Sequence, residues 1–249
     1  MDYVTRQLEI LNKFDFERPP VGVKFMTQKP KDLPLVKPGR DFCELLADAQ
    51  AGEAFYATEN EIGCVGPMAL GMIAEDAVFE SGKVGPKLGV YRDDDANKRI
   101  YDYLPRLPYN TIRYVAYAPL DKLSFRPDLL IIMASVSQAE ILNRARTYSS
   151  GEMWTAKGTP VAGCTWIYIH PYLTGEINFT VTGLGFGMKA RRIFPEGRIL
   201  MTIPWDRIPE MMKNLADMPW EPESYRIGPE GHKEEMKKIA AEIQKELES

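Results

Sequence analysis

The run Leu129-Leu-Ile-Ile-Met133 is the feature that most constrains the fold of this chain. Its residues are all apolar, which is typical of a β-strand buried on both faces of a sheet. Ser137 follows shortly and is a suitable N-cap for a helix over residues 138–148. A strand that leads directly into a helix is typical of α/β proteins, so the pattern predicts a central sheet with helices packed against it.

Other segments with strand and helix patterns extend this unit into one large domain. Strands are predicted over residues 21–26, 54–58, 114–118, 175–181 and 199–203, and helices over residues 2–14, 42–51, 68–77 and 208–215. The predicted class is α/β, with α+β as the alternative, and the sheet is expected to be mixed and flanked by helices. Because no segment has the composition of a linker, residues 1–222 are predicted to form a single body.

Residues 223–249 are predicted to form an extension that carries one amphipathic helix. The stretch 232–248 is rich in Lys and Glu, and its apolar residues recur every three or four positions. These apolar residues are Met236, Ile239, Ile243 and Leu247. The pattern favours a helix that docks on the body or faces a partner, and a homo-oligomer is predicted.

Charge and composition exclude several classes of protein. The 249 residues include 31 basic and 35 acidic side chains, and the net charge of −4 provides no basic surface for nucleic acid or anionic membranes. No apolar run approaches the roughly 20 residues of a membrane span. Three cysteines are too few, and odd in number, for a disulfide framework, so a reducing cytoplasmic location is predicted.

The three cysteines are the candidate functional residues. Cys43 is predicted in the first turn of the helix over residues 42–51, and Cys64 directly precedes another predicted helix start. Cys164 follows a glycine. Backbone amides at a helix start stabilise a thiolate or an anionic cluster. The spacings match no zinc ribbon or ferredoxin motif, so residue patterns alone leave both a metal site and buried packing cysteines open.

The chain resembles the uncharacterised family known as DUF169 over nearly its whole length. The matching motifs are Arg18-Pro-Pro-Val-Gly-Val-Lys24, Cys43…Gly52…Glu59-Asn60…Cys64-x-Gly66…Leu70-Gly71, Ser137-Gln138-Ala139 and Gly163-Cys164…Gly175…Asn178. The resemblance implies a shared architecture and shared cysteine positions more than a reaction. This chain has Val65-Gly66-Pro67 where relatives have two glycines, and it has no cysteine near Gly183–Gly187. A fourth protein thiolate is therefore lacking.

Together, the cysteine context and the resemblance predict an iron–sulfur protein. The predicted ligands are Cys43, Cys64 and Cys164. Three thiolates suit a 4Fe–4S cluster with one open iron, or a 3Fe–4S cluster. The open iron would serve redox chemistry or ligand binding, with a small molecule or a redox partner as the expected partner.

Glu59 and Asn60 lie shortly before Cys64, and they are predicted to contribute to the cofactor site. His170, expected at the end of a strand, is a further candidate ligand. Zinc is the alternative metal, because three cysteines and His170 would complete a closed tetrahedral site. A metal-free small-molecule-binding protein or enzyme with structural cysteines is the alternative function. The sequence does not determine whether the protein is an enzyme.

Overall fold

The apolar run at 129–133 lies at the centre of one β-sheet. The structure is a computed structural model that describes residues 8–248. The strands are β1 (Val21–Met26), β2 (Phe55–Ala57), β3 (Tyr114–Pro119), β4 (Leu129–Ala134), β5 (Asn178–Val181) and β6 (Ile199–Pro204). They are arranged in the order β2-β3-β1-β4-β6-β5. Every residue of β4 is buried, as the unbroken apolar pattern predicts.

Every ladder of the sheet is antiparallel. β4 pairs with β1 on one side and with β6 on the other, and β3 and β5 extend the sheet in the same manner. Within the described residues, parallel pairing is limited to two isolated bridges, Leu35 with Tyr56 and Arg40 with Ile62. The predicted α/β class, with helices flanking one sheet, is confirmed. The expectation of a mixed sheet is wrong, because every ladder between the six strands is antiparallel, and these strand directions correspond to the α+β alternative.

Helices connect and cover the strands. They are α1 (Phe42–Gln50), α2 (Gly66–Ala69), α3 (Ala77–Glu80), α4 (Val84–Lys87), α5 (Asp94–Tyr101), α6 (Val136–Thr147), α7 (His170–Thr174), α8 (Phe186–Arg191), α9 (Ile208–Asp217), α10 (Glu223–Arg226) and α11 (Gly228–Glu248). A π-helix covers Thr165–Ile169, and short 3₁₀ helices cover Glu9–Phe14, Leu120–Lys122 and Trp205–Arg207. The helix predicted over residues 2–14 begins outside the described residues, and its described part is the first of these 3₁₀ helices.

The two faces of the sheet bury two separate hydrophobic clusters. Successive residues of a strand point to opposite faces. Accordingly, Ile131 packs in a cluster with α1 and the π-helix, whereas its neighbour Ile132 packs with α6 and α9. The three cysteines are partly buried and pack against the first cluster. The candidate site therefore lies on the α1 face of the sheet.

The C-terminal helix contributes nothing to either core. α11 contains no buried residue, and its four apolar side chains are between 40% and 79% exposed. No helix among residues 8–248 is both long enough and apolar enough to cross a membrane.

Candidate functional site

Cys43 is held at the start of α1 by a capping box. The Asp41 side chain caps the N-terminus of the helix, and the backbone N–H of Asp41 donates to Glu44 Oε2 at 2.7 Å. This reciprocal pair satisfies amides that would otherwise lack partners in the first turn. Cys43 therefore occupies the first turn, as predicted from the sequence.

Cys64 is attached to the same helix start. Its Sγ accepts the backbone N–H of Phe42 at 3.3 Å and that of Gly66 at 3.5 Å. Gly66 begins α2, and a Cβ on it would lie 2.7 Å from the Phe42 ring. The missing side chain thus allows α2 to close onto α1, so that the two cysteines approach each other.

Cys164 precedes the π-helix Thr165–Ile169 and has helical backbone angles. A π-helix is wider than an α-helix and is often found at functional sites. The same helical run continues into α7, which begins at His170. His170 therefore begins a helix rather than ending a strand, contrary to the sequence-based expectation.

The three cysteines line one cavity of about 280 Å³. Asp41 and Arg191 also line it and form an ion pair. Much of the remaining wall is hydrocarbon, from Phe79, Val84, Leu88, Val161, Phe186 and Met188. All three cysteines are free thiols. Segments that are distant in sequence thus contribute three sulfur atoms to one largely apolar compartment.

Burial dominates the electrostatics of the thiols. It raises the pKa of Cys43 to about 12, with a further contribution from Cys64, whereas the Arg191 guanidinium acts in the opposite direction. Burial also raises the pKa of Cys64, although the two backbone N–H groups that donate to its sulfur lower it. The pKa of Cys164 is raised by burial well above its usual range. Without a bound cation the thiols are therefore protonated at neutral pH.

Two residues predicted to contribute to the cofactor site lie elsewhere. Glu59 and Asn60 are exposed in the turn after β2, and neither lines the cavity. The backbone N–H and side chain of Asn60 donate to Thr58 Oγ1 at 3.3 and 3.5 Å. The structure therefore does not bring these two side chains to the cysteines.

His170 also lies outside the cavity. Its Nε2 is 3.4 Å from a carboxylate oxygen of Glu176, and its ring packs against Trp166. Burial lowers the pKa of the imidazole, an effect that Glu176 opposes. The imidazole therefore has a structural partner and is not directed to the thiols.

The part of the chain that the structure describes contains no group of three or more His, Cys, Asp or Glu side chains that could hold a metal ion. A zinc ion binds its ligands at about 2.0–2.3 Å, which requires the donor atoms to be close together. The closed site of three cysteines and His170 is therefore not formed. This arrangement gives the iron–sulfur prediction no direct support, and it stays a prediction.

The cavity wall formed by α3, α4 and α5 was missed by the reasoning from sequence. Asn97 is the notable polar residue of this wall: it is only 1% exposed, and its Nδ2 donates to Gly82 O at 2.8 Å. Its Oδ1 has no hydrogen-bond partner. The three glycines Gly82, Gly85 and Gly89 could have indicated close packing in this stretch of the sequence, because a Cβ on Gly85 would lie 2.6 Å from Asn97 Oδ1.

Comparisons with known proteins identify relatives without a known activity. A family model, DUF169, described as "Uncharacterised ArCR", matches residues 9–214. An uncharacterized protein of Methanocaldococcus jannaschii is 26% identical over 208 residues, which cover 81% of this chain and 86% of the relative. No solved structure is significantly similar to the chain.

Proposed function

The chain belongs to the DUF169 family, and on the geometry of its cavity we propose that it binds an iron–sulfur cluster through Cys43, Cys64 and Cys164. The observation that carries the proposal is that these three cysteines, from three separate segments, line one cavity.

The chemistry of the compartment suits an anionic cluster. Two backbone N–H groups already point at Cys64 Sγ, and such donors stabilise thiolates and cluster sulfur. The first turn of the nine-residue helix α1 adds the positive end of a helix dipole beside Cys43. The raised thiol pKa values mean that cluster binding releases protons, because the ligands must be deprotonated.

The compartment also leaves room beside the thiols. With three protein ligands, one iron of a 4Fe–4S cluster would lack a cysteine. When bound, such a cluster supplies one-electron redox chemistry and a Lewis-acidic iron. The hydrocarbon side chains of Phe79 and Val84 line the same cavity as the thiols and would limit the access of water to it. The expected partner is a small molecule that binds at the cluster or a protein that exchanges electrons with it.

Metal analysis of protein purified without oxygen tests the proposal. We expect a brown protein in which iron and acid-labile sulfide are present in near-equal amounts, with about three or four iron atoms per chain. Reconstitution at rising pH should be increasingly effective, because the buried thiols lose their protons more readily. A colourless, iron-free product from both purification and reconstitution would rule the cluster out.

A metal-free small-molecule-binding protein or enzyme is the second candidate, and Asn97 favours it. Burying a polar oxygen without a partner is costly, so a ligand that donates a hydrogen bond to Asn97 Oδ1 would be favoured in this apolar compartment. The cysteines would then be structural. Iron and sulfide analysis of a single preparation distinguishes the two candidates, because only the first requires iron and sulfide.

We also propose that residues 223–249 form an extension to a body of residues 1–222 and that two copies of the chain associate through α11. The family match ends at residue 214, and none of the 21 residues of α11 is buried. Tyr225 of α10 holds the start of the extension against α6, where its hydroxyl donates to Glu140 Oε1 at 3.3 Å. A cytoplasmic location, predicted from the sparse free cysteines, would suit an oxygen-sensitive cluster.

Ending the chain at Gly231 should reduce its mass in solution to that of one copy, because the apolar stripe of α11 is removed. In the full chain, Ile243→Lys should have the same effect. Lys238→Ser is the matched control, since residue 238 lies on the opposite side of the helix from Ile243. Light scattering coupled to gel filtration measures the mass. A mass that the truncation leaves unchanged would disprove association through α11.

A further inference from the structure

Two tyrosine hydroxyls are buried in the hydrophobic cluster that the cysteines pack against, without a well-formed hydrogen bond. Tyr117 is 0% and Tyr168 is 1% exposed, and neither hydroxyl has a partner with acceptable geometry. Buried polar groups are nearly always hydrogen-bonded, so each orphan requires an explanation. Burial raises the pKa of both hydroxyls well above the usual value, so both keep their protons and can donate.

Ring contacts connect both tyrosines to the neighbours of the cysteines, although neither tyrosine lines the cavity itself. Tyr168 follows Cys164 by four residues in one helical run, a spacing that puts both on the same side of the helix. The ring of Phe42, the neighbour of Cys43, contacts the Tyr168 ring at a centroid distance of 4.6 Å. Tyr117 lies 6.3 Å from both of these rings. Both tyrosines also interact electrostatically with Cys43 and Cys164.

The two hydroxyls have more protons to donate than the neighbouring rings have acceptors. Each hydroxyl has one proton to donate, and the two tyrosines are close enough to influence each other. Even if one hydroxyl donated to the other, one proton would remain without an acceptor. The other ring neighbours, Phe42 and Phe55, carry no oxygen or nitrogen acceptor. The sulfur acceptors in the same cluster of side chains belong to the cysteines and to Met72, Met133 and Met188, and a cysteine that has become a thiolate is the strongest acceptor among them.

We propose that Tyr117 and Tyr168 donate hydrogen bonds to sulfur atoms of the bound cluster and thereby raise its reduction potential. The inference rests on the proposed function, because a neutral thiol is a weak acceptor whereas a thiolate or sulfide is a good one. Reduction adds negative charge to the cluster, and hydrogen bonds to sulfur favour the more negative state. The two tyrosines would be tuning residues, in addition to the ligands themselves.

The test is the midpoint potential of the loaded protein, followed by visible absorption during a redox titration. Tyr117→Phe and Tyr168→Phe should each shift the potential to a more negative value, and the double variant should shift it further. Tyr91→Phe is the matched control. Its hydroxyl is also buried without a partner, but the titratable groups that influence its pKa are Tyr103 and Tyr101 and not the cysteines. The control should leave the potential unchanged.

Thermal unfolding provides a second measurement, which does not depend on the potential. In metal-free protein the Tyr168→Phe substitution removes a hydroxyl without a partner, so the melting temperature should stay the same or rise. In loaded protein the same substitution should lower it, because a hydrogen bond to sulfur is lost. An unchanged potential together with equal melting shifts in both forms would overturn the tyrosine inference alone. Iron-free wild-type protein would overturn the proposed function and this inference with it.

Discussion

Replacing Cys64 by serine should remove most of the iron from protein reconstituted without oxygen. Serine keeps the size of the side chain, but its hydroxyl is a much poorer ligand for iron than a thiolate. We expect affinity for the cluster to fall by more than about 100-fold, since loss of a residue that only hydrogen-bonds to a metal ligand already costs about 10- to 100-fold. Cys43→Ser and Cys164→Ser should behave in the same manner. Iron and sulfide analysis with visible absorption measures the effect.

Residues that the sequence suggested as ligands provide the controls for this experiment. Glu59→Gln and Asn60→Ala should retain full iron content, because both side chains are exposed and outside the cavity. His170→Gln should also retain its iron, because the imidazole faces Glu176. A cysteine variant that keeps the iron of the wild type would contradict the assignment of that cysteine, and loss of iron in the His170 variant would restore it as a candidate ligand.

Gly66→Ala should destabilise the protein and weaken the site at the same time. The new methyl group would lie 2.7 Å from the ring of Phe42, which is itself fully buried and in contact with Tyr168. Overpacking of this kind costs about 1–3 kcal/mol of unfolding free energy. The Phe42 amide, which donates to Cys64 Sγ, would move with the ring. Denaturant unfolding of the metal-free protein measures the first effect, and iron content the second.

Gly63→Ala is the matched control on the other side of Cys64. Gly63 is exposed, and the nearest atom to an added Cβ is Asp41 Oδ1 at 3.8 Å, an ordinary contact. A surface substitution of this kind is expected to change the unfolding free energy by less than about 0.5 kcal/mol. If the two alanine variants were equally stable, the close approach of α2 to α1 would not be needed for the fold.

Local patterns predicted individual elements well. The unbroken apolar run indicated that β4 is buried on both faces, and the helix predicted over residues 42–51 begins where α1 begins. Local patterns failed where the backbone is unusual. The π-helix after Cys164 combines β-branched and aromatic residues, a composition that favours strands.

The candidate site was predictable in part. The cysteines stood out because each lies beside a glycine or at a predicted helix start, and all three line the cavity. Glu59 and Asn60 were chosen for their nearness to Cys64 in sequence, but the turn after β2 points them to solvent. The unpartnered hydroxyl of Tyr117 could be recognised only from its surroundings in the structure.

The sequence by itself determined the class of the fold, the central buried strand, the start of α1 and the choice of cysteines as candidates. These properties depend on residues within about one turn of helix or one strand, where the spacing of apolar and capping side chains decides the conformation. Only the tertiary structure decided that the strands are antiparallel and that Cys43, Cys64 and Cys164 share one cavity. Strand direction and the meeting of distant segments depend on packing between elements, which no local pattern contains.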